Sequence, residues 1–178
     1  MKAGGKGVLA GVAAMAVIVA ASNYLVQFPL NDWLTWGAFT YPVAFLITDL
    51  SNRKLGPGLA RRVVYAGFAV AVVLSVWLAD WRIALASGSA FLAAQLLDVQ
   101  IFDLLRRRAW WLPPVISSLV ASAVDTTLFF SIAFYATGLP WVTWALGDFG
   151  VKVLMALVML LPYGGALWLA ALRQPARS

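Results

Sequence analysis

Six apolar runs, at 7–28, 34–51, 62–79, 83–105, 112–136 and 147–171, take up most of this 178-residue chain. Each is about 18–25 residues long, the length a helix needs to cross a hydrocarbon layer about 30 Å thick. Breaker residues separate them: Pro29 with Asn31 and Asp32, Gly56-Pro57-Gly58, Pro113-Pro114, and Gly138 with Pro140. Hydrophobic residues make up 63% of the chain and charged residues 11%, where a soluble domain carries about 25% charged residues. The expected architecture is an all-α integral membrane protein with six transmembrane helices, residues 1–178 forming a single domain. No soluble domain, low-complexity tract or long linker interrupts it.

The basic residues set the orientation. Lys2 and Lys6 precede the first run, and Arg53, Lys54, Arg61 and Arg62 lie between the second and third. Arg106, Arg107 and Arg108 lie between the fourth and fifth, and Arg173 and Arg177 follow the sixth. A chain that crosses six times puts all eleven on one side and leaves Arg82 on the other. By the positive-inside rule both termini are then cytoplasmic. The same clustering explains the net charge of +6, so no nucleic-acid partner is implied, although anionic lipid is attracted. Trp33, Trp36, Trp77, Trp81, Trp141 and Trp144 fall near the outer ends of the runs, and Trp110, Trp111 and Trp168 near the inner ends. That pattern reads as two aromatic belts. Lys2, Lys6 and Val19-Ala20-Ala21 resemble a secretory signal, but the uncharged stretch continues to Leu30, and a retained first helix keeps the basic alternation intact.

Cysteine and histidine are both absent. Disulfides, thiol catalysis, histidine-ligated haem and nearly all zinc sites are therefore excluded. Glutamate is absent too, so all seven acids are Asp, a poor helix former. No nucleophile–base pair and no metal set is visible, so neither an enzyme nor a cofactor is expected.

Against this background the polar residues inside the runs stand out. A carboxylate at mid-bilayer depth costs about 2.5–3.5 kcal/mol on insertion scales and needs a cavity or a partner. In the fifth run Ser118, Ser122 and Asp125 follow i, i+4, i+7 on one helical face, with Thr126 one position on. Interhelical glue accounts for the serines but poorly for a mid-span Asp. In the fourth run Ser87, Phe91, Gln95, Asp98 and Phe102 share a face, and Gln95 and Asp98 are one turn apart. In the second run Tyr41, Phe45, Thr48 and Asn52 form a stripe with Asp49 beside it. Asp49 is either an interfacial partner of Arg53 at i+4 or a ligand group. Asp103 is accounted for by pairing with Arg107. Asp148 and Lys152, four apart in the sixth run, form an internal ion pair, or Lys152 balances Asp125. Gly7/Gly11 and Ala10/Ala14 suit close helix packing, and Pro162 with Gly164-Gly165 can kink the last run.

Carboxylates and an amide, with aromatic faces nearby, suit a flat heterocycle. A guanine-like ring offers a ring N–H beside an exocyclic amine to a carboxylate. Its carbonyl accepts from Gln95, Asn23 or Lys152, and its face stacks on Trp, Tyr or Phe. This chemistry permits a deazaguanine without singling it out from other small polar heterocycles.

Several stretches carry a resemblance. They are Ser22 to Gln27 (S-N-Y-L-V-Q), Trp36 to Phe39 (W-G-A-F), and Thr48-Asp49-Leu50 leading to Gly56 and Leu59-Ala60-Arg61-Arg62. Gln95 with Leu97-Asp98-Val99 and Phe102, Trp110-Trp111-Leu112 with Pro114, and Ser117-Ser118 leading to Asp125-Thr126 follow. Asp148 and Lys152-Val153-Leu154 close the series. In order and spacing the chain resembles the queuosine precursor transporters, formerly grouped with vitamin uptake transporters. The resemblance implies six helices and uptake of 7-cyano-7-deazaguanine, or its aminomethyl relative, across the bacterial inner membrane. One departure is the tight turn Ala79 to Arg82, where relatives have a longer segment. The expected substrate-binding residues are Asn23, Thr48, Asp49, Gln95, Asp98, Ser118, Ser122, Asp125 and Lys152. The expected partners are the deazaguanine base and the lipid bilayer, with a homodimer left open. A substrate-binding subunit of an energy-coupling vitamin importer is the alternative.

Overall fold

The computed structural model describes residues 3–25, 28–31, 33–78 and 81–172. The chain folds into a bundle of helices with one short hairpin. Helix α1 spans Ala3–Leu25, and strands β1 (Pro29–Asn31) and β2 (Leu34–Thr35) pair antiparallel behind it. Helices α2 (Gly37–Thr40), α3 (Pro42–Leu55), α4 (Pro57–Leu78) and α5 (Trp81–Leu105) follow, then α6 (Leu112–Phe134), α7 (Trp141–Val158) and α8 (Leu160–Leu172). Among the described residues, four stretches are long and apolar enough to cross a bilayer: Gly5–Ser22, Trp81–Leu105, Leu112–Phe134 and Trp141–Leu172. This is an all-α, multi-pass membrane protein.

The elements follow the expected runs but differ at several ends. The second run does not begin as helix, because Leu34 and Thr35 are held in the hairpin, where the Asn31 side chain accepts from Trp33 N at 2.8 Å. Helix α2 then passes almost without interruption into α3, since Tyr41 keeps helical dihedrals (φ −57°, ψ −39°) and Pro42 follows at the first helical position. Gly56, at φ +87°, ends α3 in a conformation that favours glycine. The last run breaks at Met159 rather than at Pro162 or the glycines. The cause is still Pro162: it has no N–H, and its ring crowds the carbonyl of Val158 four residues back, the last residue of α7. Of the tight turn expected at Ala79 to Arg82, residues 79 and 80 lie outside the described residues and Trp81 and Arg82 open α5 instead; the side chain of Trp77 also lies outside them.

Helix α3 lies at the centre, packed against α1, α4 and α5 and, at fewer points, α6 and α7. Its inner face, with Met15 and Val19 of α1, Val63 and Val64 of α4 and Phe91 and Val99 of α5, forms the main apolar core. Small residues set the close approaches. A Cβ on Gly67 of α4 would lie 2.3 Å from Met15 Cγ, and one on Gly11 would lie 3.0 Å from a Val63 methyl. Of the two small-residue pairs in α1, Gly7/Gly11 thus faces the bundle, whereas Ala10 and Ala14 are exposed.

The two ends of the bundle are tied differently. At one end Arg53 Nη1 donates to Arg106 O (2.9 Å), and Arg106 Nη2 donates to Asn52 O (2.7 Å) and to the Asn52 side chain. Asn52 Nδ2 reaches Val99 O at 2.9 Å. The start of α1 joins this end, Gly7 packing on Leu55. At the opposite end Arg82 closes α6, donating to Ile132 O (2.8 Å) and Tyr135 O (2.6 Å).

Candidate functional site: a polar cleft inside the bundle

Two groups of buried polar side chains lie within the bundle. The first joins α3, α6 and α7. Lys152 Nζ lies 2.8 Å from Asp125 Oδ2 and 2.5 Å from Asp148 Oδ2, and donates to Thr126 Oγ1 at 3.0 Å. Thr126 in turn donates to Asp148 at 2.8 Å, and Tyr41 donates its hydroxyl to Asp125 Oδ1 at 3.1 Å. The ammonium also lies over the Tyr41 ring, 5.4 Å from its centroid. Both readings of Lys152 therefore hold at once, since it neutralises Asp148 on its own helix and Asp125 on the next. Asp125 has a partner on each oxygen, so this group is closed on itself.

The second group joins α3, α5 and α6 and is less satisfied. Asp49 receives long hydrogen bonds from Ser117 Oγ (3.4 Å) and Ser118 Oγ (3.5 Å). Its other neighbour is the carboxylate of Asp98, which faces it with Ser117 alongside both. Neither Asp98 oxygen has a hydrogen-bond partner among the described residues. Thr48 donates to Gln95 Oε1 at 2.5 Å, while Gln95 Nε2 is left without an acceptor. Thr48, Gln95 and Asp98 are fully buried. The pairing of Asp49 with Arg53 is not formed, because Arg53 is turned to the carbonyl of Arg106. Asp103 pairs with Arg106 at 2.8 Å rather than with Arg107.

A cleft runs between the groups. Asp49, Ser118, Ser122 and Lys152 line it, together with Pro42, Phe45, Met159 and Tyr163. Its free interior admits only about one water molecule. As the side chains stand, that space is too small for a ring-sized solute. Tyr163 forms the wall at one end. Its ring stacks on Trp110 at 6.5 Å and 12° and meets Phe102 edge-on at 6.4 Å, and its hydroxyl has no hydrogen-bond partner among the described residues.

Of the expected residues, Asp49, Ser118, Ser122 and Lys152 share the cleft. Thr48, Gln95 and Asp98 form a layer behind Asp49, and Asp125 is held by Lys152 and Tyr41. The side chain of Asn23 lies outside the described residues. Tyr163 and Tyr41 were not among the expected binders. Tyr41 heads the Phe45, Thr48, Asn52 stripe, which is a signal for it, but nothing near Tyr163 in the sequence points to this cleft.

Fold and site together define a helical membrane protein with a closable polar cleft between buried acids and a buried lysine, the arrangement of a small-solute carrier. A family model described as "Putative vitamin uptake transporter" matches residues 35–80 and 75–166. The two stretches overlap at residues 75–80. The "Queuosine precursor transporter" of Escherichia coli (strain K12) is 38% identical, over 85% of this chain and 81% of that protein. The "Probable queuosine precursor transporter" of Haemophilus influenzae is 34% identical, over 88% of this chain and 84% of the relative. One of the same name from Bacillus subtilis is 30% identical over 56% of each chain. The chain belongs to the queuosine precursor transporter family, a family of transporters and not of enzymes. No solved structure matches it.

Proposed function

We propose that this protein takes up a queuosine precursor, 7-cyano-7-deazaguanine and its aminomethyl relative, across the bacterial inner membrane. The carrying observation is the single hollow that Asp49, Ser118, Ser122 and Lys152 line between the two polar groups. The names of the relatives supply the substrate class. In this reading Asp49 takes the N–H edge of the base and the serines serve its polar atoms, while Lys152 turns to the base only by giving up one of its contacts to Asp125, Asp148 or Thr126. Phe45 and Tyr163 offer ring surface. Thr48, Gln95 and Asp98 support Asp49 from behind, and Asp125 keeps Lys152 in place.

The chain works as one six-pass unit with both termini in the cytoplasm. The end-to-end contacts support this. Gly7 meets Leu55, and Arg53 meets Arg106, which gathers the basic segments 6–7, 53–55 and 106–108 at one end. Opening of the cleft falls to the break at Met159, where α7 and α8 can tilt independently.

The test is salvage. A bacterium lacking queuosine synthesis and its own importer is given the gene and a low concentration of 7-cyano-7-deazaguanine. Queuosine should return to the tRNA. Unmodified tRNA despite good membrane expression rejects the reading.

One observation favours a second reading, a substrate-binding subunit of an energy-coupling importer. Ala10, Ala13 and Ala14 leave a smooth exposed face on α1, where a scaffold helix can dock. Uptake by the lone chain in liposomes rules that out, and co-purification with an ATPase module supports it.

A further inference from the structure

We propose that Asp49 and Asp98 hold a single proton between them and that this proton crosses the membrane with the substrate base. The inference rests on the uptake reading above and adds its driving force.

The geometry carries it. Two carboxylates on different helices face each other inside the bundle, Asp49 2% and Asp98 0% exposed. As two anions they have no hydrogen to share; the Ser117 hydroxyl lies alongside both, but among the described residues no donor reaches either Asp98 oxygen in hydrogen-bond geometry. One proton turns the contact into a hydrogen bond and removes one of two like charges, which a low-dielectric site strongly favours. Among the described residues no cation pairs with either acid. Lys152 lines the same cleft but is held by Asp125 and Asp148. Arg53 and Arg106 are turned to backbone carbonyls and Asp103. Ser117 and Ser118 of α6 bring hydroxyls only, and α8 brings Tyr163. The titratable side chains of α1 (Lys6, Tyr24) and α4 (Arg61, Arg62, Tyr65) are exposed. Two further buried groups point to an occupant: the Tyr163 hydroxyl on the cleft wall and Gln95 Nε2 behind Asp49 both lack hydrogen-bond partners among the described residues.

The division of labour follows. Asp49 lines the cleft and meets both the base and the proton, whereas Asp98 lies behind it and meets the proton alone. With the cleft open outward, the pair takes a proton from the outer phase and Asp49 takes the base. With the cleft open inward, both leave to the cytoplasm, and no covalent bond changes.

The experiment uses the full chain in liposomes with the membrane potential clamped. Counterflow of 7-cyano-7-deazaguanine reads binding and translocation, and accumulation under an acid-outside gradient reads coupling. One proton per base turns a one-unit pH difference into about tenfold accumulation. We expect that accumulation in the native protein, and in Asp98→Asn a loss of pH-driven accumulation larger than any loss of counterflow. Accumulation in the native protein that ignores the pH gradient or follows sodium, or accumulation that persists in Asp98→Asn, overturns the proposal. Infrared spectra of the lipid-embedded protein read the shared proton without substrate. A protonated-carboxyl stretch should be present at neutral pH and missing from Asp98→Asn, and its absence from the native protein, or its persistence in the variant, also overturns the proposal. No counterflow in the native protein sinks the uptake reading instead, and the infrared result still decides the proton.

Discussion

Lys152 ties α7 to α6 through buried charge. It is 4% exposed and bridges Asp125 and Asp148, so removing it leaves two anions buried without a counter-charge. Breaking such a pair costs about 3–5 kcal/mol, and Lys152→Ala should lower the melting temperature in detergent by several degrees or more. Asp125→Ala combined with Lys152→Ala should be less damaging than the two effects summed, with a coupling of about 0.5–3 kcal/mol. Strict additivity in the double-mutant cycle would show that the contact carries no energy. Tyr41→Phe removes one hydrogen bond to a charged oxygen, worth about 1.5–3 kcal/mol, and should lower the melting point by less than Lys152→Ala.

Between helices, the tightest constraint is where α4 crosses α1. Gly67 faces Met15 with no room for a methyl group, and the obstacle is the middle of the Met15 side chain, not its flexible end. Alanine there gains helix propensity of about 1 kcal/mol but forces repacking that costs about 1–3 kcal/mol. Gly67→Val should therefore melt clearly lower than the native protein and Gly67→Ala slightly lower, by differential scanning fluorimetry. A stabilised Gly67→Val would mean the helices do not meet as described. The α7–α8 break teaches a different point. The proline that causes it is plain in the sequence, but the break sits three residues earlier, because the steric conflict reaches back along the helix to Val158.

At the scale of the whole molecule, the question is which end faces the cytoplasm. The chain has no native cysteine, so single cysteines can be read without background. With termini inside, Lys54→Cys should react with a membrane-impermeant maleimide only after cells are permeabilised, whereas Leu139→Cys should react in intact cells. The opposite pattern reverses the orientation, and labelling of both in intact cells removes the six-pass reading.

Much of this protein was legible in its sequence. Hydropathy marks out the apolar runs because lipid is a uniform solvent that asks the same of each. The order of the polar residues and their spacing identify the family. Which acids are free was not legible. Asp49, Asp98 and Asp125 have the same chemistry and similar depth in the sequence, yet Asp125 is held by Lys152 and Tyr41 while Asp98 faces another acid with only the Ser117 hydroxyl alongside. Arg53, four residues from Asp49 and its natural partner in a lone helix, finds a carbonyl 53 positions away instead. Pairing across helices depends on rotation and depth relative to neighbours, and these are set by the packing of glycines, methionines and aromatic rings across the whole bundle. Periodicity along one strand of chain reveals which face a residue occupies, and only the assembled helices decide what that face meets.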